Sequence, residues 1–360
     1  MLTWCVISSF ILFSCQENSE SSSRLFQGDI DFVEPTENAW WVDAQTIQGT
    51  TQGTTFTIKT SEDSLFLSPF EISQLLANFD QELSGYIDTS LLSEFNGNSK
   101  INFENTRFFK PCYEISYTVF EKTNGLFDPS VFPLVRAWGF FKNPISPPSK
   151  GKVDSILTYT GFTKDVHHTI ENGDLVKLSD GFQLDFNAVA QGYSTDVVAD
   201  LLDAKGQKNY YIEIGGELRL KGKNSDGNNW IIGIDLPSEK NDGNSSRELE
   251  NYLSLTNVGL ATSGSYRKFY EKAGKKYSHT LHPKTGYPVE HNLLSVTVIA
   301  ENAALADAYA TAFMVMGVRE TMAFISNHTN LGLEVYMLFE NTAGRIERVY
   351  SKGMEAYFLR

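Results

Sequence analysis

Asp307 and Thr311 stand four residues apart in Ala306-Asp307-Ala308-Tyr309-Ala310-Thr311-Ala312, within a stretch predicted to be helical from Glu301 to Met316. On a helix that spacing puts a carboxylate and a hydroxyl on one face, a turn apart. The alanines beside them leave open space. Two hard oxygens so placed can fill two positions of a Mg²⁺ shell, with substrate phosphate and water completing the octahedron. Alone, such a pair is more often a solvated or capping arrangement than a metal site, so the neighbouring motifs have to decide.

Upstream, Leu260-Ala261-Thr262-Ser263-Gly264-Ser265-Tyr266-Arg267 reads as a small-residue turn after a strand, where backbone N–H groups could approach an anion. Next, His279-Thr280-Leu281-His282-Pro283-Lys284-Thr285-Gly286-Tyr287-Pro288 crowds histidine, lysine and hydroxyls into a loop punctuated by Pro and Gly. His279 is the candidate there for a phosphate contact or proton transfer. At Asp185-Phe186-Asn187-Ala188-Val189-Ala190-Gln191-Gly192-Tyr193, an acid at a predicted strand end precedes a helix whose free N–H groups suit phosphate. Gly215-Gly216-Glu217 marks a tight bend after Tyr210–Ile214, too short for a dinucleotide-binding fingerprint.

Several elements must position these groups. Ser68-Pro69-Phe70-Glu71 has capping-box spacing with Pro at the first helical position, predicting a helix to Leu83. Further helices are predicted over Tyr113 to Lys122, stopping near Gly125, and over Ala188 to Asp203. Predicted strands are Thr54–Thr60, Tyr210–Ile214, Trp230–Ile234, Tyr252–Leu255, Leu294–Ile299 and Leu333–Phe339. Residues 140–152 and 237–249 read as loops. Strands and helices mix without regular βαβ alternation, so the expected class is α+β, with mixed sheets, packed helices and a single large catalytic domain.

The 360 residues, 41% apolar and 21% charged, can bury a substantial core. A formal charge of −14 argues against a nucleic-acid partner, which needs a basic face. Cys5, Cys15 and Cys112 form no disulfide framework, and Cys112 is expected to be a buried hydrophobe. Residues 1–14 are apolar and acid-free, too short to span a bilayer, and read as a signal-peptide core. Leu12-Phe13-Ser14-Cys15 resembles a bacterial lipobox, with Cys15 the lipidated residue, residues 15–38 a flexible tether and 39–360 the domain. That places the protein in the cell envelope, lipid-anchored to a membrane and facing the periplasm or exterior.

In order, these segments resemble the ApbE family of FAD:protein FMN transferases. Gly49-Thr50-Thr51-Gln52-Gly53-Thr54-Thr55-Phe56 resembles its GxTMGTxY signature, and Ser84-Gly85-Tyr86 with Phe95-Asn96 its S-x-Y with distal Asn. Gly125-Leu126-Phe127-Asp128, Pro133-Leu134-Val135 and Trp138-Gly139-Phe140 resemble a third signature. Asp185 to Gly192, Gly215 to Glu217, Ala261 to Arg267, His279 to Pro288 and Ala306 to Ala312 follow, the last three being the most specific. The resemblance implies an ApbE-like fold, with Mg²⁺ held by Asp307, Thr311 and the Ala188 carbonyl. It implies that Gln52, Tyr86, Leu126, Phe127, Asp128, Asp185, Gln191 and Leu281 line a site for FAD as substrate, with His279 and Asp307 catalytic. Four residues depart from the family pattern: Gln52 for Met, Asn187 for Gly, Gln191 for Lys and His282 for Asp.

The reaction implied is Mg²⁺-dependent transfer of FMN from FAD to a Thr or Ser hydroxyl of an acceptor flavoprotein, with release of AMP. The acceptor would carry a short motif rich in Asp, Gly, Ser and Thr. Two alternatives share the site: an FAD pyrophosphatase, with water as nucleophile, and a lipoprotein that binds FAD without turnover.

Overall fold

The computed structural model describes residues 41–42, 45–64, 67–141, 147–237, 249–265, 269–272 and 275–359. Cys15, the predicted signal and tether, and Arg267 lie outside them, as does most of the 237–249 loop.

Strands β1 (Trp41–Val42), β2 (Thr46–Thr51) and β3 (Thr54–Thr60) lead into helices α1 (Pro69–Leu83) and α2 (Leu91–Gly97). Then come β4 (Lys100–Asn102), α3 (Phe109–Lys122), α4 (Phe132–Ala137), α5 (Lys150–Leu157), β5 (His168–Glu171), β6 (Asp174–Lys177) and α6 (Ala190–Ala204). The next strands are β7 (Tyr210–Ile214), β8 (Glu217–Lys221), β9 (Trp230–Asp235), β10 (Leu249–Leu255) and β11 (Val258–Gly264). After them stand β12 (Phe269–Lys272), β13 (Lys275–Ser278), β14 (Leu293–Ala300), α7 (Ala303–Asn327), β15 (Glu334–Glu340) and β16 (Ile346–Tyr350).

Nine of these strands form one antiparallel sheet in the order β1-β2-β3-β7-β8-β11-β14-β15-β16. Side chains alternate across it, as a strand's period of two requires. Phe56, Ile212, Val298 and Met337 enter the larger core, together with Phe79, Phe95, Phe109 and Phe186 from the helical side. Leu218, Leu220, Ile299 and Leu338 face the opposite way, onto the β9–β10 ribbon. The class is α+β, as the irregular order of elements in the sequence implied. Among the described residues no helix is long and apolar enough to cross a membrane.

The capping box forms as read: Ser68 Oγ accepts from Glu71 N (3.2 Å) and Glu71 Oε2 from Ser68 N (2.8 Å). Other boundaries move for physical reasons. Helix α3 starts at Phe109, not Tyr113, because the Glu82 carboxylate of α1 accepts from the backbone N–H groups of Arg107, Phe108 and Phe109. That carboxylate supplies the cap that α3 lacks locally. The 261–264 segment is not a turn but the second half of β11, paired with β14. Helix α7 runs past Met316 to Asn327 through a kink at Gly317, φ +73°. Helix α5 already begins at Lys150, inside the expected 140–152 loop.

Beside α3 a histidine is buried without charge. His168 stacks between Phe162 (5.0 Å) and Phe182 (4.9 Å), and its Nε2 meets the Tyr113 hydroxyl at 2.7 Å. Burial, helped by neighbouring His167, lowers its pKa to about 4 from an ordinary 6.5. The folded state therefore binds the proton less readily than the unfolded chain, and stability is lost as pH falls from 6.5 towards 4. The maximum loss from this group is about 3 kcal/mol. His168→Gln, compared with wild type by denaturant unfolding at pH 7.5 and pH 4.5, should show the smaller acid loss. Equal losses would remove His168 as the cause.

Candidate active site

Helix α6 meets α7 where neither could tolerate a larger residue. A β-carbon on Gly192 would lie 2.8 Å from that of Asp307 and closer still to the Ala303 carbonyl. With glycine there, the Gly192 N–H donates to Asp307 Oδ2 at 3.1 Å. As the third residue of α6, Gly192 carries one of the N–H groups that a helix start leaves unpaired, and Asp307 accepts from it. Among the described residues the Ala188 carbonyl and the Thr311 hydroxyl accept and donate no hydrogen bond. Other helical hydroxyls do return to the backbone, as Thr195 does to Gln191 O (3.0 Å) and Ser326 to Met322 O (2.8 Å).

Asp307 is 6% exposed, and desolvation, with Asp196 as a neighbouring charge, holds its carboxyl well above the ordinary carboxylate range. A bound cation would reverse that shift. Carboxylate, hydroxyl and carbonyl are the hard donors Mg²⁺ takes. Among the described residues no group of three or more His, Cys, Asp or Glu could hold a metal.

Asp196, not singled out by the sequence, anchors the start of α7. Its carboxylate accepts from Ala303 N (3.0 Å) and Ala304 N (2.8 Å), while Asn302 Oδ1 accepts from Leu305 N (2.9 Å). Arg219 stands 3.7 Å from Asp196 and also donates to the Glu301 carbonyl. Burial nevertheless raises Asp196 to about 6.

Two hairpin turns close on the first turn of α6. Gln52-Gly53 joins β2 to β3, with φ +53° and +71°, and Gly215-Gly216 joins β7 to β8, with φ +65° and +114°. Two-residue hairpins need such positive φ angles. Gly215 is also a space requirement: a β-carbon there would lie 2.6 Å from Gln191 Cδ, so the Gln191 side chain rests on this turn. Gln52, in the first of these turns, reaches both α1 and α6. Its amide donates to Asp80 Oδ1 (3.1 Å) and accepts from Ser194 Oγ (3.3 Å).

A second group gathers at residues 125–130 and 185–187. The Asp185 N–H donates to the Pro129 carbonyl (2.7 Å), and Asp185 Oδ1 accepts from Asn187 N (2.8 Å). Asn187 reaches the Tyr86 hydroxyl, and Tyr86, 56% exposed, lies against Phe141 at 4.9 Å. Asn187 keeps a negative φ, so a glycine is not needed there. Asp128 is buried, raised to about 6 by burial, and its Oδ1 accepts from Ser130 N (2.8 Å) and Oγ (2.6 Å). Phe127 and Leu281 are core side chains, the latter packed with Leu134, Trp138 and Val153. Leu126 is half-buried.

His279 follows β13 and opens a loop that folds back through the Leu281–Pro288 bridge, fixed by Trp138 Nε1 donating to Gly286 O (2.7 Å). Within it His282 Nδ1 accepts from Lys284 N (3.2 Å), and desolvation lowers the His282 pKa. The Lys284 side chain lies over Gly125, its Cε 3.8 Å from where a β-carbon would be. The stretch Asp185–Gly192 thus joins the Tyr86–Asp128 group at one end to the Asp307 group at the other.

This architecture is that of solved flavin transferases. The Flavin Transferase ApbE from Vibrio cholerae superposes with TM-score 0.75 at 32% identity, over 88% of this chain and 99% of that one. The flavinyl transferase ApbE of Pseudomonas stutzeri, in its apo form, gives 0.76 at 29% identity, over 88% and 97%. The sequence profile of the ApbE family matches residues 52–337. A relative from Haemophilus influenzae, an FAD:protein FMN transferase, is 32% identical over 312 residues, 84% of this chain and 88% of its own. The chain belongs to the ApbE family.

Proposed function

We propose that this chain transfers FMN from FAD to a Ser or Thr hydroxyl of an acceptor flavoprotein, releasing AMP, and that it works in the bacterial cell envelope, held to the membrane by a lipid on Cys15. The observation carrying the reading is the oxygen set of Asp307, Thr311 and Ala188, left uncommitted where α7 docks on α6, in a chain whose relatives bear that enzyme name.

Mg²⁺ bound by those three oxygens would supply charge neutralisation at the pyrophosphate. The chain's own groups do the rest. Gly192 and Asp196 fix the Asp307 carboxylate and the helix bearing it. Tyr86 offers an exposed ring for flavin contact, and Lys284, whose stem lies over Gly125, offers a cation. The acceptor oxygen attacks the phosphorus on the FMN side, and the bond from that phosphorus to the bridging oxygen breaks. Its electron pair leaves with AMP, and the hydroxyl proton passes to His279.

Incubating a purified acceptor with the enzyme, FAD and Mg²⁺ should add one FMN-sized mass to it, with AMP formed in equal amount. FMN and AMP formed at the same rate without acceptor, and no adduct with it, would make the protein a pyrophosphatase. Unchanged, stoichiometric FAD would make it a carrier.

A further inference from the structure

We propose that Asp80 is a positioning residue for FAD binding, acting through Gln52, a device built around the glutamine that this chain carries where its family has methionine. The inference rests on the flavin reading above.

Four polar groups form one line. Asp80 Oδ1 on α1 accepts from Gln52 Nε2 (3.1 Å), and Gln52 Oε1 accepts from Ser194 Oγ (3.3 Å). The single Ser194 hydroxyl proton is shared with the nearer Gln191 carbonyl (2.8 Å). The amide orientation follows from chemistry: reversed, Gln52 would turn its carbonyl oxygen towards a carboxylate. Gln52 sits at φ +53°, a region unfavourable for a residue with a β-carbon, in the turn between β2 and β3. From this turn its side chain reaches both helices, α1 through Asp80 and α6 through Ser194.

What the line controls is the first turn of α6. That turn presents the Gln191 side chain over Gly215 and the Gly192 N–H to Asp307, and it follows directly on Ala188. Methionine at position 52 would need no partner, since a thioether packs without hydrogen bonds. Glutamine does need one, because a half-buried amide left without its acceptor is destabilised. Asp80 supplies that acceptor from an element outside the substrate site.

The test is a double-mutant cycle read by FAD affinity, from flavin fluorescence, and by the kcat and KM of transfer. Asp80→Ala should raise Kd and KM for FAD about tenfold, the usual consequence of removing a hydrogen bond to a charged group, with kcat within about twofold. Asp80→Asn, which keeps an oxygen acceptor, should stay within about threefold of wild type. In the Gln52→Met background Asp80→Ala should have no further effect on either constant. Loss of stability alone would lower melting temperature in both backgrounds alike. Equal effects of Asp80→Ala on FAD binding in the two backgrounds, or none in either, would overturn the proposal. Wild-type protein that binds no FAD would overturn the functional reading as well, and the two failures are separated by that first titration.

Discussion

Asp307→Ala is expected to reduce FMN transfer by on the order of 10³-fold or more, about 4 kcal/mol of barrier, while making the metal-free protein more stable. The two effects share one cause. In the wild type a carboxylate is held in a desolvated position with the Gly192 N–H as its hydrogen-bond donor and Asp196 as a like-charged neighbour. Its raised pKa means that ionisation costs folding free energy once the pH exceeds the unfolded value. Removing the carboxylate removes that cost, so the gain should be present at pH 8 and vanish in acid, where both states are protonated. Divalent cation should raise the melting temperature of wild type and not of the variant, since only a state that binds ligand is stabilised by it. A variant that keeps transfer activity, or one that still responds to Mg²⁺ as wild type does, would remove Asp307 as the ligand. Thr311→Val, which keeps shape and loses the hydroxyl, should lower metal affinity with a smaller effect on stability.

Gly192→Ala should be the most damaging single-methyl change in the site. The added carbon meets the Ala303 carbonyl on one side and Asp307 Cβ on the other, backbone and a fixed side-chain root, neither of which can swing away. Overpacking of this kind costs about 3 kcal/mol, and here it also separates α6 from α7, breaking the bond from Gly192 N–H to Asp307. Thermal melts should drop by several degrees and transfer should fall in parallel. Gly151→Ala is the matched control: it lies in α5, with no atom within 4 Å of the new carbon, and should be neutral or slightly stabilising. Equal behaviour of the two variants would show that the α6–α7 contact is looser than described.

The two sites of change differ in how far the sequence announces them. Asp307 and Thr311 are legible because helical spacing alone puts them on one face. Strands β3 and β7 are legible because β-branched and aromatic residues bracket them with turn residues, and α1 because its cap is local. Where the cause lies elsewhere in the chain, the reading fails. The second half of strand β11, Ala261-Thr262-Ser263-Gly264, is all small residues and looks like a turn. The strand's small residues are there because α7 crosses it: a β-carbon on Gly259 would run into the backbone of Asn302 and Ala303. Helix α3 takes its cap from Glu82. Gly317 looks like a helix end and takes the left-handed φ of one, yet the chain resumes its helix, with His291 Nε2 at 2.7 Å from the Met314 carbonyl beside the break.

The candidate site shows the same division. Gln191 and Gly215 each sit in a recognisable motif, but nothing near either one says that they touch. Asp80 and Asp196 look like ordinary helix-surface acids, and only their partners on other elements give them a role. Phe127, Asp128 and Leu281 fall in family signatures, and the structure occupies their side chains with core packing and turn capping.

The order of strands in the main sheet has a kinetic consequence. Strand β3 pairs with β7, about one hundred and fifty positions later, and β11 is held between β8 and β14. Pairings between distant segments form late, because closing a long loop precedes any gain from the contact. Gln52, Gln191, Gly215 and Asp307 come from four well-separated parts of the chain. In a nascent chain these four residues therefore come together only once α7 has been made and has settled on β11, when folding is nearly finished.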